Sequence, residues 1–155
     1  MKKIILASLV AMSIVVSSVS AEGLKIGLGL SAGQSSLQEA PTIKVPLDFD
    51  FGLRVEPELG ITDEYQTLGV GAYYNVMQKK EVDIYAGGRL GYTIDSNANG
   101  ITLQALVGAE HYLVENELSV ALQVGLEVMS GDRYKGTNTP GFGTTGSVVL
   151  RYFLF

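Results

Sequence analysis

The chain has 155 residues, a formal net charge of −5 at pH 7 and no cysteine. An acidic chain without a basic cluster argues against nucleic acid as a partner, because phosphate backbones recruit Lys and Arg. The lack of cysteine excludes a disulfide framework and a thiolate metal site, and we expect neither a metal nor another cofactor. The length fits a single domain.

The first 21 residues have the pattern of a secretory signal peptide. Lys2 and Lys3 precede an apolar run at residues 4–16, and residues 19–21 (Val-Ser-Ala) form the small-x-small pattern of a cleavage site. A membrane-anchoring helix is the alternative, but it needs about 20 apolar residues and this run is shorter. We therefore predict a cleaved signal peptide at residues 1–21 and one domain at residues 22–155.

From residue 24 onward, apolar residues alternate with polar residues or glycine, which is the period of a β-strand. In residues 82–94, for example, Val82 and Leu90 fall on one face, and Asp83 and Arg89 fall on the other. Turn-forming residues separate the alternating segments. The predicted strands lie at residues 24–32, 51–61, 68–76, 82–94, 101–113, 118–128 and 147–155.

An eighth strand is predicted at residues 41–47, because bacterial membrane barrels have an even number of strands. Ile43, Val45 and Leu47 are in phase there, and a tight turn at residues 48–50 would lead into the next strand. One long strand from residue 43 to residue 61 is the alternative, since all its odd positions stay in phase. Its length and the resulting odd number of strands argue against it.

Glycine distinguishes the two faces of the predicted strands, because it recurs among the polar residues, as at Gly71, Gly87 and Gly108. The interior of an eight-stranded barrel is just wide enough for side chains to fill, so small residues are needed there. On a water-facing surface the same glycines would only weaken the strands. We therefore predict an all-β fold, an eight-stranded antiparallel up-and-down transmembrane β-barrel with its Leu, Val and Ile side chains in hydrocarbon. A soluble exported barrel that binds a ligand inside is the alternative.

Three segments and the chain terminus resemble the small outer-membrane β-barrel family, the OmpA/OmpX-like superfamily of Gram-negative bacteria. The segments are R-V-E-P-E-L-G at residues 54–60, Y-A-G-G-R-L-G-Y at residues 85–92 and V-G-A-E-H-Y at residues 107–112, and the last residue is Phe155. The resemblance implies a location in the outer membrane, in contact with membrane lipid and lipopolysaccharide. It also implies that the outer-membrane assembly machinery recognises Phe155 and the last strand. We expect a monomer.

The resemblance also implies the topology of the barrel, with both termini in the periplasm. The periplasmic turns are then expected at residues 48–50, 78–81 and 115–117. The extracellular loops are expected at residues 33–40, 62–66, 95–100 and 130–141.

Eight charged side chains fall on the predicted inner face. Charges at membrane depth are costly and are normally paired, and Arg pairs with carboxylates through its planar fork. We predict a static plug of ion pairs that closes the lumen; a gate whose pairs rearrange to pass ions is the alternative. An inward Arg151 also places Phe153 inside unless a bulge shifts the register. The eight charges are Arg54, Glu56, Glu58, Asp83, Arg89, Glu110, Glu127 and Arg151.

The single histidine, His111, does not complete a catalytic set. It is in phase with the outward-facing residues near the expected periplasmic end, whereas a hydrolytic site at the cell surface needs it at the other rim. Glu56 and Glu58 have a spacing that can present paired carboxylates, but Arg residues on the same face favour ion pairing. We therefore expect no enzymatic activity.

The longest loop segment, residues 130–141, contains Asp132, Arg133, Tyr134 and Lys135. Loops on a rigid scaffold carry recognition, so these side chains are candidate contacts for a host surface, a phage or lipopolysaccharide. A plain connecting loop is the alternative. The sequence favours a non-enzymatic outer-membrane barrel with a structural or surface-interaction role. A narrow pore or small-molecule transporter is the second interpretation, and an outer-membrane enzyme is the third.

Overall fold

The structure is a computed structural model that describes residues 23–35, 41–62, 65–95, 99–115, 117–131 and 140–154. The predicted signal peptide, the loop residues 132–135 and Phe155 lie outside the described residues. No helix in the described ranges is long and apolar enough to cross a membrane. The strands are β1 (Leu24–Ser35), β2 (Thr42–Lys44), β3 (Leu47–Phe49), β4 (Leu53–Ile61), β5 (Tyr65–Gln78), β6 (Val82–Asp95), β7 (Asn99–Val114), β8 (Leu118–Gly131) and β9 (Gly141–Phe153).

The strands form one antiparallel sheet that closes into a barrel. Strands β3 to β9 pair in chain order, and β1 pairs with β9 from Gly27↔Phe153 to Ser35↔Thr145. Both β2 and β3 pair with β1 on one side and with β4 on the other, so together they serve as one barrel strand. The described residues therefore build the eight-stranded antiparallel barrel that the sequence predicts.

Pro46 divides the second barrel strand into β2 and β3, because proline has no N–H to donate to the ladder. The register is the same on both sides of the interruption, with Lys44 opposite Glu58 and Leu47 opposite Val55. At the interruption the Val45 N–H donates to the carbonyl of Pro57 at 2.9 Å. The predicted strand at residues 41–47 is thus confirmed, and it continues to Phe49.

The turn after this strand lies at residues 50–52, and the predicted position at residues 48–50 was wrong by two residues. Gly52 has a φ of 88°, a conformation that glycine adopts without a steric penalty. Its N–H donates to the carbonyl of Phe49 at 2.9 Å, which closes the turn. Asp48 remains within β3, opposite Arg54. The alternative of one long strand from residue 43 to residue 61 is excluded.

The connections differ at the two ends of the barrel. Residues 50–52, 79–81 and 115–117 form short connections at one end, which we call the turn end; β1 begins and β9 ends there. Residues 36–41, 62–64, 96–98 and 132–140 connect strands at the opposite end, which we call the loop end.

The outer face of the barrel is apolar, as the alternation predicts. Leu103 on β7 and Leu126 on β8 are 58% and 67% exposed, and similar side chains surround the barrel. Ile26, Val45 and Leu59 share the apolar parity but are buried. Other exposed apolar residues include Leu28, Leu30, Ile43, Phe51, Ile61, Val70, Tyr74, Val76, Ile84, Leu90, Tyr92, Ile101, Val107, Leu113, Leu122, Val124, Phe142, Val148, Leu150 and Tyr152.

Glycines on the inner face give room to large side chains from the same strand or from a neighbouring one. A Cβ atom at Gly108 would overlap the ring of Tyr85, and one at Gly71 would lie 2.5 Å from the hydroxyl of Tyr73. The two tyrosine rings therefore lie across the lumen, with centroids 5.5 Å apart in an edge-to-face arrangement. They belong to a buried cluster that consists of Tyr73, Tyr85, Leu106, Ala121 and Val149.

Candidate functional site

The candidate site is a group of charged side chains inside the barrel. Alternation along β4 places Arg54, Glu56 and Glu58 on its inner face. Seven of the eight predicted inner charges are buried, and Arg89 has a side chain that is 20% exposed. The seven are Arg54, Glu56, Glu58, Asp83, Glu110, Glu127 and Arg151.

Arg151 on β9 lies at the centre of the site. Its Nε donates to Oε1 of Glu56 on β4 at 2.7 Å, and its Nη1 lies 3.1 Å from Oε1 of Glu110 on β7. All three side chains are fully buried. Because a buried charge is costly unless it is paired, each of these groups depends on the others. One guanidinium thus connects three strands across the lumen.

Arg54 forms the second centre, nearer the turn end. Its Nε and Nη2 donate to the two carboxylate oxygens of Asp48 on the adjacent strand, the latter at 2.6 Å. Its Nη1 donates to Glu110, which also accepts a hydrogen bond from the hydroxyl of Ser119. This two-pronged geometry is typical of strong Arg–carboxylate pairs. Glu110 is therefore shared between two arginines and one serine.

Glu58 joins two cations nearer the loop end. Lys44 Nζ lies 3.3 Å from its Oε2, and the Arg89 Nε donates to its Oε1. Lys44 Nζ is also 3.6 Å from Oε2 of Glu56. Lys44 therefore links this group to the carboxylate that pairs with Arg151.

Gln104 extends the network towards β8. It accepts a hydrogen bond from Arg89 Nη1 at 3.2 Å and donates from Nε2 to Glu127 at 3.0 Å. The result is a continuous chain from Glu58 through Arg89 and Gln104 to Glu127. Asp83 lies nearer the turn end, where it accepts a hydrogen bond from the hydroxyl of Tyr112 at 3.1 Å.

Aromatic rings pack against the two central arginines. The guanidinium carbons of Arg54 and Arg151 both lie 5.7 Å from the ring centroid of Tyr85, and Arg54 is equally distant from the ring of Phe153. These distances suit cation–π attraction. Phe153 is 3% exposed while Tyr152 is 50% exposed, so the alternation continues through the last strand and places Phe153 inside.

Several members of the network were not predicted from the sequence. Lys44, Asp48, Ser119 and Gln104 all contact the predicted charges. Alternation was sufficient to place Lys44 on the inner face, because it lies between the apolar residues Ile43 and Val45. Identifying its partners required the register between strands, which single-strand periodicity does not contain.

His111 lies on the outer face near the turn end. It is exposed, and its Nδ1 lies 2.9 Å from the carbonyl oxygen of Glu81. The fold therefore separates it from the carboxylates of Glu56 and Glu58 in the lumen. Within the described part of the chain, no cluster of three or more His, Asp or Glu side chains is suited to hold a metal ion.

Two solved structures share this architecture. The barrel is similar to the crystal structure of Neisserial surface protein A, with a TM-score of 0.54 and 18% sequence identity over 83% of this chain and 94% of that one. It is also similar to the solution structure of a de novo designed protein, TMB2.3, with a TM-score of 0.51 and 13% identity over 88% and 99% of the two chains. No protein-family model matches the chain, and no curated protein sequence matches it significantly. At these identities the likeness establishes the fold.

Proposed function

We propose that the protein is an integral outer-membrane β-barrel without enzymatic activity, with a lumen closed by ion pairs and a structural or surface-interaction role. The observation that carries the proposal is the inverted distribution of polarity. Leu122 and Leu126 on the outer face are 61% and 67% exposed, while Glu110 and Arg151 inside are fully buried. Soluble monomers rarely expose a continuous apolar surface of this kind, whereas a membrane barrel requires it.

The dimensions and the aromatic residues support the location in a membrane. A membrane-spanning strand needs about 9–11 residues, and β5 and β7 have 14 and 16 residues. Exposed aromatic side chains lie near both ends of the barrel, with Phe51 and Tyr74 towards the turn end and Tyr92 and Phe142 towards the loop end. Membrane barrels carry such aromatic girdles at the two lipid–water interfaces.

The orientation follows from the lengths of the connections. Barrels of this class have short periplasmic turns and longer extracellular loops. The two longest connections, residues 36–41 and 132–140, both lie at the loop end, so we assign the turn end and both chain termini to the periplasm. The same orientation places residues 132–135 outside the cell, as candidate contacts for a surface ligand or lipopolysaccharide. We propose that the assembly machinery recognises the last strand together with Phe155, which follows it in the sequence.

The closed lumen is tested by conductance in planar bilayers. We expect the pure wild-type barrel to give no steady current, because Arg151, Glu56 and Glu110 hold one another across the lumen. The protein should come from the outer-membrane fraction and migrate differently on a gel before and after boiling in detergent. Recovery in the soluble periplasmic fraction without a heat-dependent shift would contradict the membrane location.

A gated narrow pore is the second candidate, and the sharing of carboxylates favours it. Glu110 pairs with both Arg54 and Arg151, and Glu56 pairs with both Arg151 and Lys44. A carboxylate with two cationic partners can exchange one for the other, which would open a path for ions. A steady wild-type current that Arg54→Ala or Arg89→Ala alters would support the pore and replace the closed barrel.

A further inference from the structure

A small cavity lies in the loop-end half of the lumen. The space that the centres of water molecules can reach has a volume of about 50 Å³. Each enclosed water needs roughly 10–15 Å³ by this measure, so the cavity has room for about three to five waters. We call it the polar chamber. Its walls include Lys44, Arg89, Thr102, Leu106, Gln123 and Glu127.

Two buried side chains in the chamber wall have polar atoms without a protein partner. The hydroxyl of Thr102 and the Nε2 of Gln123 form no hydrogen bond with the described residues. Thr102 is 7% exposed and Gln123 is 2% exposed. The other amide atom of Gln123, Oε1, accepts a hydrogen bond from Ser147 at 3.1 Å. An unsatisfied buried polar group is costly, so both atoms point to a guest molecule in the chamber.

The charges around the chamber are already neutralised within the wall. Lys44 pairs with Glu58 and Glu56, Arg89 pairs with Glu58, and Glu127 accepts a hydrogen bond from Gln104. The buried groups of the wall that have no partner are therefore a hydroxyl and an amide N–H, and the apolar surface of Leu106 lies beside them. A bare cation would meet the positive charges of Lys44 and Arg89, while Glu127 is the single carboxylate among the described lining residues and already accepts a hydrogen bond from Gln104.

We infer that the polar chamber binds one small neutral polyol with two or three carbons. A polyol hydroxyl accepts a hydrogen bond from Gln123 Nε2, and another exchanges a hydrogen bond with Thr102, since hydroxyls both donate and accept. The carbon atoms of the polyol contact Leu106. Arg89 and Lys44 lie between the chamber and the central ion pairs, so the guest enters from the loop end and does not cross the barrel.

The test is a titration of the folded, isotope-labelled barrel in detergent micelles, followed by NMR. Glycerol and ethylene glycol are the probes, and the side-chain amide of Gln123 and the methyl group of Thr102 report binding. We expect saturable shifts at millimolar concentration. Thr102→Val keeps the side-chain shape but removes the hydroxyl, and we expect it to weaken binding by about tenfold.

Two glycine variants on one strand provide the matched control. A Cβ at Gly91 lies at ordinary contact distance, 3.7 Å from Thr67 Cγ2 and 3.8 Å from Thr102 Cβ, so Gly91→Ala keeps the fold but fills part of the chamber. Gly88 lies on the outer face of the same strand, and Gly88→Ala should leave binding unchanged. We expect Gly91→Ala to abolish the saturable shifts.

The result that overturns the inference is a shift that never saturates and is equal in wild type and Gly91→Ala, since that is an effect of the bulk solvent. Saturation by sodium or potassium chloride but not by glycerol would instead identify a cation site, and would equally overturn it. Neither result bears on the proposed function, because a barrel with an empty or ion-filled chamber is still closed by its central ion pairs.

Discussion

Arg151 Nε donates a hydrogen bond to Glu56 Oε1 at 2.7 Å, although the two residues are 95 positions apart in the chain. They lie on β9 and β4, which β1 and the second barrel strand separate around the circumference. The pair therefore crosses the lumen directly and is independent of the backbone ladders. Both side chains are fully buried, so each charge offsets much of the free-energy cost of burying the other.

The variant Arg151→Met should destabilise the barrel by about 3–5 kcal/mol, because it leaves Glu56 and Glu110 buried without their shared cation. Urea titration of the folded barrel, read by gel mobility, measures the loss. The double variant Arg151→Met with Glu56→Gln should recover part of that stability, since it also removes one of the two buried carboxylates that have lost a cationic partner.

The matched control is Tyr152→Met, because Tyr152 is the next residue and lies on the outer face. We expect it to change the urea midpoint much less than Arg151→Met does. A double variant no more stable than Arg151→Met alone would show that Glu56 and Arg151 are not energetically coupled.

Gly108→Ala should destabilise the barrel by about 1–3 kcal/mol, because the new methyl group would overlap the ring of Tyr85. Gly91→Ala places a methyl group on the same inner face at ordinary contact distance, and its stability should be close to wild type. The urea midpoints of Gly108→Ala and Gly91→Ala, each compared with wild type, measure the two changes in stability. Equal losses at both positions would mean that strand propensity, and not the room for Tyr85, explains the inner glycines.

Arginine on the outer face should cost more at the middle of a strand than at its end. Val107 and Leu113 both lie on β7 and are 53% and 55% exposed. In a bilayer Arg costs about 2–4 kcal/mol at the midplane and about 0–1 kcal/mol near the interface. We therefore expect Val107→Arg to lower the stability in lipid vesicles by about 2–4 kcal/mol and Leu113→Arg by less than about 1 kcal/mol.

The same pair of variants discriminates the membrane barrel from a soluble one. In water both positions are equally accessible, so both arginines would be tolerated alike. Two small, equal effects in vesicles would argue against burial of this face in hydrocarbon.

The proposed orientation predicts which end of the barrel is accessible from outside the cell. The chain has no cysteine, so a single introduced cysteine gives an unambiguous label. Asn99→Cys at the loop end should react with a membrane-impermeant maleimide on intact cells. Lys80→Cys at the turn end should react only after the outer membrane is opened, and labelling of Lys80→Cys on intact cells would reverse the assigned orientation.

The sequence by itself was sufficient for the fold. Period-two alternation is a local property, and it placed Leu103 and Leu126 outside and Glu110 and Arg151 inside without knowledge of any contact. The even number of strands then required a strand at residues 41–47, which the structure contains. The position of the following turn was predicted two residues too early, because it depends on the positive φ of Gly52 and not on hydrophobic pattern.

Tertiary structure alone decided which of the inner residues meet. Alternation assigns a face but no register between strands, and the tilt of strands in a barrel brings distant residues to the same height. The sharing of Glu110 between Arg54 and Arg151, the relay through Gln104 and the chamber lined by Thr102 and Gln123 therefore follow from closure of the sheet. Two side chains can meet across the lumen only when the register of the strands around it sets them at the same height. The sequence of a single strand therefore does not reveal which inner residues contact each other.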